Sequence, residues 1–233
     1  MGVLALVNHF GTFLLFLAMV LLIVSSITAP TVNSLSLFSV NLGSDSGDIS
    51  FGTFGYCVHD VRGRGCSRTS IGYSPTSILR EVDGTDFSDW TESTSKALTN
   101  VMILHPIGAG IAFVGFALSL GSSFFGSFLS SLVAGITFVV TVAALACDFV
   151  WMDLVRRRIN RRDNGGNPDS HAYYDAALWC VLASAICSLL ATIILFFTCC
   201  TGRVNRKRAE RRKADYHSPP AVAHTRHHWW QRR

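Results

Sequence analysis

Residues 97–147 read ALTNVMILHPIGAGIAFVGFALSLGSSFFGSFLSSLVAGITFVVTVAALAC, 51 consecutive positions without Asp, Glu, Lys or Arg, bounded by Lys96 and Asp148. A helix needs only about 20 apolar residues to cross the hydrocarbon core of a bilayer. The run is long enough for two crossings, and its small-residue segment Gly121-Ser-Ser-Phe-Phe-Gly-Ser127 suits the turn between them. Spans over 98–120 and 128–150 follow, with the turn at 121–127. Two further apolar runs, Leu4 to Ala29 and Ala176 to Cys200, bring the count to four.

The chain therefore divides into a first helix within 1–29, a loop domain 30–97, the two central spans, a second loop 151–175, a fourth span 176–200 and a basic tail 201–233. With 49% hydrophobic and 15% charged residues, it has too little polar surface for a soluble globule of 233 residues. The expected fold class is an all-α membrane protein, a bundle of four transmembrane helices. The first run has a second reading as a cleaved signal peptide, because Ser26-Ile-Thr-Ala29 ends in small residues. Its charge-free n-region and long apolar core favour a retained span.

Charge and cysteine placement set the expected orientation. The tail carries seven cations, Arg203, Arg206, Lys207, Arg208, Arg211, Arg212 and Lys213, and the second loop five, Arg156, Arg157, Arg158, Arg161 and Arg162. Loops above about 60 residues translocate regardless of charge, so the comparison rests on seven against five and favours a cytosolic tail. Cys57 and Cys66 are the two cysteines in the aqueous loops. A lone pair in a chain routed through the secretory pathway reads as a disulfide. The first loop is then extracellular and both termini cytosolic, although no Asn-x-Ser/Thr sequon occurs to support it.

Within that loop, Leu35 to Val40 and Ile49 to Val58 alternate apolar with small or polar residues around Gly43-Ser-Asp-Ser-Gly47, the pattern of two strands and a turn. A clamp at Cys57 and Cys66 would close a short loop and stabilise it by about 2 to 3 kcal/mol. Glycines between aromatics in Phe51-Gly-Thr-Phe-Gly-Tyr-Cys57 and in Ile71-Gly-Tyr73 let backbone and rings approach closely, as in a miniature core seated on the helices.

Several residues bear on chemistry. An ionisable side chain inside a membrane is a functional candidate, which singles out His105 in His105-Pro106, and Asp148 at the end of span three. Pro106 frees a carbonyl one turn back and is expected to kink the helix. His105 lies within about two turns of the outer end of its span, within reach of water or a loop acid. Asp148 has Arg156 to Arg158 near in sequence to neutralise it. Both are read as structural. Neither has a nucleophile or ligand set beside it, and His217, His224, His227 and His228 lie in a Pro-containing tail without a Cys companion. No catalytic residue, metal or cofactor is therefore expected. Gly108, Gly110, Gly115, Gly121, Ala134 and Gly135 offer small surfaces for helix packing. A channel or transporter subunit, the alternative function, would require polar stripes, and only scattered Ser and Thr occur.

The string Asp48-Ile-Ser-Phe-Gly-Thr-Phe-Gly-Tyr-Cys57, then Cys66, Ile71-Gly-Tyr73 and Leu104-His-Pro-Ile107, resembles the fungal PalI family of four-span plasma-membrane proteins. Leu145-Ala-Cys-Asp148, Arg158-Ile159, Ala177-Leu-Trp179, Phe197 and Cys199-Cys200 are similar as well, so the resemblance runs from about residue 8 to 213. The family positions are Phe51, Gly52, Phe54, Gly55, Tyr56, Gly72, Tyr73, His105, Pro106 and Asp148. The resemblance implies a non-enzymatic plasma-membrane protein. Its two branches are an accessory of the ambient-pH (Pal/Rim) pathway and an organiser of eisosome-linked membrane compartments. The pH branch often has a very long disordered tail, whereas 33 residues follow span four here. The loop-and-span plan also resembles a claudin-like arrangement, with Phe51 where a Trp usually heads that motif.

Partners implied are membrane lipids and other plasma-membrane proteins, such as a pH sensor or a second copy of the chain, rather than nucleic acid. Cys199 and Cys200, at the inner end of span four, are candidate palmitoylation sites. The seven tail cations are candidate contacts to anionic lipid, near which each contributes about 1 kcal/mol.

Overall fold

A computed structural model describes the backbone of residues 3–217 apart from 33, 44–46, 60–64, 122–123 and 161–168, and the side chains of 6–201 outside those gaps and 124–127. In chain order the elements are α1 (Val3–Ser26), β1 (Phe38–Asn41), β2 (Asp48–Phe51), β3 (Tyr56–His59), α2 (Pro75–Val82), α3 (Asp89–Val101), α4 (Leu104–Leu120), α5 (Phe124–Ile159), β4 (His171–Tyr174) and α6 (Ala176–His217). Among the described residues four helical stretches are long and apolar enough to cross a membrane: Leu6–Ser26, Asp89–Leu120, Phe128–Ile159 and Ala176–Thr201.

These four pack as a ring, α1 against α4 and α6, and α5 against the same two. Lipid tails are as apolar as a leucine, so association relies on close backbone approach and interhelical hydrogen bonds. Gly115 places its Cα against Leu15 and Val133, and Gly11 does the same against Ile194 and Leu195. Ser130 Oγ donates across the α4/α5 contact to the Gly115 carbonyl at 2.9 Å, and Thr198 on α6 donates to Asn8 Oδ1 on α1 at 3.3 Å. Gly110, expected as a packing surface, has open space around its Cα. It lies on the outward face because its helical phase differs from that of Gly108 and Gly115.

The remaining elements form a head at one end of the bundle. Its sheet is antiparallel, in the order β3-β2-β1-β4. β1 pairs with β2 on one edge and with β4 on the other, Phe38 standing opposite both Phe51 and Tyr174. The segments before α3 and after α5 thus meet in one sheet, as an even number of crossings between them requires. The single strand expected over Ile49 to Val58 is instead a hairpin. The Gly52 N–H donates to the Gly55 carbonyl at 2.8 Å, closing a tight turn that pairs Phe51 with Tyr56.

Two connections also differ from the expected bounds. Gly121 leaves α4 in extended conformation (ψ 125°), and α5 begins at Phe124. α5 therefore takes in 124–127, which were expected in the turn. Residues 151–159 continue α5 because Trp151, Met152, Val155 and Ile159 keep an apolar face at helical spacing, and this face is the floor of the sheet. The head core is thus built on the bundle itself: Leu37, Phe38, Val40, Ile49 and Phe51 from the sheet, Leu79 from α2, that face of α5, and Leu178 and Val181 from α6.

Candidate functional site

The glycine-aromatic segment sits where the head meets the bundle. Phe51 is fully buried, stacked parallel to Tyr73 at 6.4 Å between ring centroids and edge-on to Trp151 at 6.3 Å, with Phe38 edge-on to the same indole at 5.5 Å. Tyr73 donates its hydroxyl proton to the Gly52 carbonyl at 2.7 Å. Burial, and secondarily the charge of Asp148, hold its phenol well above the ordinary value of 10.0. A side chain at Gly52 would meet the backbone nitrogen of Ala29 at 2.6 Å, so glycine alone lets the hairpin close onto the end of α1. There Thr53 donates its N–H to Thr28 Oγ1 at 2.9 Å and its hydroxyl to the Ser25 carbonyl at 2.7 Å. Gly72 has φ +70°, a left-handed turn that carries the chain under the Asn100 side chain. Cys57 and Cys66 are joined by a disulfide that ties β3 to the segment returning from it. Phe54 and Tyr56 are half-buried at the rim.

His105 and Asp148, 43 positions apart, come together beneath this head: His105 Nε2 lies 3.0 Å from Asp148 Oδ2, with side chains 0% and 1% exposed. The two atoms lie within ion-pair distance of each other, and neither has a hydrogen-bond partner among the described residues. His105 was expected within reach of water or a loop acid and is instead fully buried against Asp148, and two of the three arginines expected to neutralise Asp148 have other partners. Arg156 lies instead over the ring of Tyr174, 5.0 Å from its centroid. Arg157 pairs with Asp153 at 2.7 Å. The reason is helical phase: Asp148 falls on the inward face with Trp151 and Val155, and Arg156 and Arg157 point outward.

The His-Pro dipeptide accounts for the local shape. The second span breaks at Met102 and Ile103, where α3 gives way to α4, with Pro106 in the first turn of α4. Proline removes the N–H that would reach the Met102 carbonyl. That carbonyl is taken up by His105, which brings its backbone N–H to 3.1 Å and its ring Nδ1 to 2.8 Å. Since a carbonyl can only accept, Nδ1 carries a proton and Nε2 is left to face Asp148.

Of the other predicted residues, Cys199 is buried against the bundle and Cys200 is exposed on α6. The backbone of α6 carries the cations from Arg203 to Lys213, whose side chains lie outside the described residues, as do Arg161, Arg162, and the side chains of His217, His224, His227 and His228. Among the described residues no three His, Cys, Asp or Glu side chains gather as a metal site. Sequence reading missed Trp151, although its spacing from Asp148, Val155 and Ile159 was visible. It also missed Asp175, the residue before α6: Oδ1 accepts from the Ala176 N–H at 2.7 Å, and Oδ2 accepts from Ser36 and, at 2.9 Å, from Ser39. No local pattern announces a contact across 136 residues.

Four apolar helices and a disulfide-bearing sheet head seated on a buried His–Asp pair define a multi-pass tetraspan membrane protein. The chain belongs to the SUR7/PalI family, whose sequence model matches residues 4–191. It is 34% identical over 141 residues to the pH-response regulator protein palI/prr-5 of Neurospora crassa, covering 59% of this chain and 19% of that protein. A pH-response regulator palI/RIM9 of Pyricularia oryzae is 28% identical over 52% of this chain and 15% of its own length. The uncharacterized membrane protein TOS7 of Saccharomyces cerevisiae is 32% identical over 50% and 19%. The matched region spans less than a fifth of each of these relatives.

Proposed function

We propose that this protein is a non-enzymatic plasma-membrane component of ambient-pH signalling, acting beside a partner protein rather than as a catalyst. The similarity to pH-response regulators carries the reading. In this reading the head faces the cell exterior, where the disulfide is stable, and both termini are cytosolic. The experiment is deletion in the source fungus: growth should fail on alkaline medium and recover with the reintroduced gene. Unimpaired alkaline growth would overturn it.

The organisation of a static membrane compartment is the second reading. It is favoured by an open apolar groove of about 620 Å³ between α5 and α6, bordered by Phe128, Leu132, Val139 and Phe196, a surface suited to lateral packing in lipid. A fluorescent fusion in immobile cortical patches, with alkaline growth intact on deletion, would favour it over signalling.

A further inference from the structure

We propose that His105 and Asp148 form a binding site for one proton, occupied while α4 and α5 are packed, whose loss as pH rises loosens the joint between bundle and head. The argument is a count of hydrogens. Nδ1 faces the Met102 carbonyl at 2.8 Å and must carry a hydrogen. Nε2 faces Asp148 Oδ2 at 3.0 Å. With a neutral imidazole and an ionised carboxylate, that gap would hold two lone pairs and no hydrogen, in a site closed to water. The packed arrangement therefore contains one more proton, as imidazolium with carboxylate or as imidazole with carboxylic acid.

Separation reverses this. In water a free imidazolium loses a proton near pH 6.5 and a carboxylic acid loses its one proton near 4. Above about 6.5 the packed state therefore binds one proton more than the separated state, and packing weakens as pH rises, by up to about tenfold in the equilibrium per pH unit. The proton passes to solvent, and the one hydrogen left on the ring cannot serve both the Met102 carbonyl and Asp148, so separation of the two side chains relieves the repulsion at the unserved nitrogen. That carbonyl is the one Pro106 leaves without its usual donor, so the α3/α4 break is where loosening begins.

The surroundings are consistent with a single titrating unit. From the head, Tyr73 is the ionisable group that faces Asp148, and on α5 Cys147 is its neighbour in the chain. α1 brings Leu22 against Gly108, and its ionisable side chain, His9, lies at the far end. On α3, Lys96 is exposed and Glu92 is paired with Arg80 at 3.3 Å. α6 begins at this depth with Ala177 and Leu178, both fully buried, after Asp175, which is bonded to Ser36 and Ser39.

The inference takes its biological sense from the pH-response reading, but its test is separable. The full chain in phosphatidylcholine nanodiscs is followed by hydrogen exchange across residues 98–108 from pH 6 to 9, corrected for the intrinsic pH dependence of exchange. Wild type should open progressively more above pH 6.5, approaching tenfold per unit, whereas Asp148→Asn and His105→Gln should show no such slope. Equal slopes in wild type and variants would overturn the site. Should the variants not fold, ring-nitrogen NMR of histidine-labelled wild type decides: a buried ring with Nδ1 protonated that changes state once between pH 6 and 9 supports it, and an invariant ring overturns it. A slope in exchange with normal alkaline growth of the deletion strain would leave the site and remove the signalling role. A flat profile with failed growth would do the opposite.

Discussion

Gly52 and Tyr73 show how a single atom governs the seat of the head. A methyl at Gly52 would collide with backbone, which cannot swing aside as a side chain can. Gly52→Ala should therefore cost at least the 1 to 3 kcal/mol typical of overpacking, read as a lower thermal midpoint of the purified protein. Tyr73→Phe removes the hydroxyl donor and leaves the buried Gly52 carbonyl unpaired, at a cost of about 1 to 3 kcal/mol. The same variant has a pH signature. The phenol is raised above its ordinary 10.0 in the folded protein, so its stabilising contribution is complete below pH 10 and declines as pH climbs past it. Denaturation midpoints of wild type should fall above pH 10 relative to Tyr73→Phe; parallel curves would show that burial of this phenol is not felt.

At the scale of elements, β3 and the end of α6 carry the separable expectations. If Cys57 and Cys66 are paired outside the cell, a membrane-impermeant maleimide should label them only after reduction, and Cys57→Ser should cost about 2 to 3 kcal/mol through the reopened loop. Labelling without reductant would argue against a closed clamp in the cell. On α6 the two neighbouring cysteines differ: Cys199 packs inward and Cys200 faces out. We expect hydroxylamine-sensitive acyl exchange to be lost with Cys200→Ser and kept with Cys199→Ser. Loss from the Cys199 variant alone, or equal signal in both, would remove this assignment.

For the molecule as a whole, the apolar bundle and the run from Arg203 to Lys213 put a positively charged segment next to a bilayer. We propose that, tethered there, the seven cations meet an anionic leaflet before any other polyanion, each adding about 1 kcal/mol of attraction near the surface. Replacing Arg206, Lys207, Arg208, Arg211 and Arg212 by Gln should release a 203–215 peptide from phosphatidylserine vesicles. Binding of the unaltered peptide should fall as salt shortens the field to about 8 Å at physiological strength. Unchanged vesicle binding and unchanged cortical distribution of the full-length variant, with topology intact, would leave the run as a topogenic signal alone.

The spans, the small sheet, the disulfide and the family were legible in the sequence because each rests on something local. Twenty apolar residues in a row, a period-two alternation or a nine-residue cysteine spacing can be read without knowing what lies beside them. Helical phase was legible too where it continued, as from Asp148 through Trp151 to Ile159, but its meaning was not, because phase says which side chains share a face and not what that face meets. Only the tertiary structure decided that β4 completes the sheet, that Asp175 at the start of α6 accepts from Ser36 and Ser39, and that Asp148 lies against His105. Those pairings join segments far apart in the chain. They are selected by the cost of leaving a polar atom without a partner in a region that excludes water, a cost set by the packed bundle and by no residue alone.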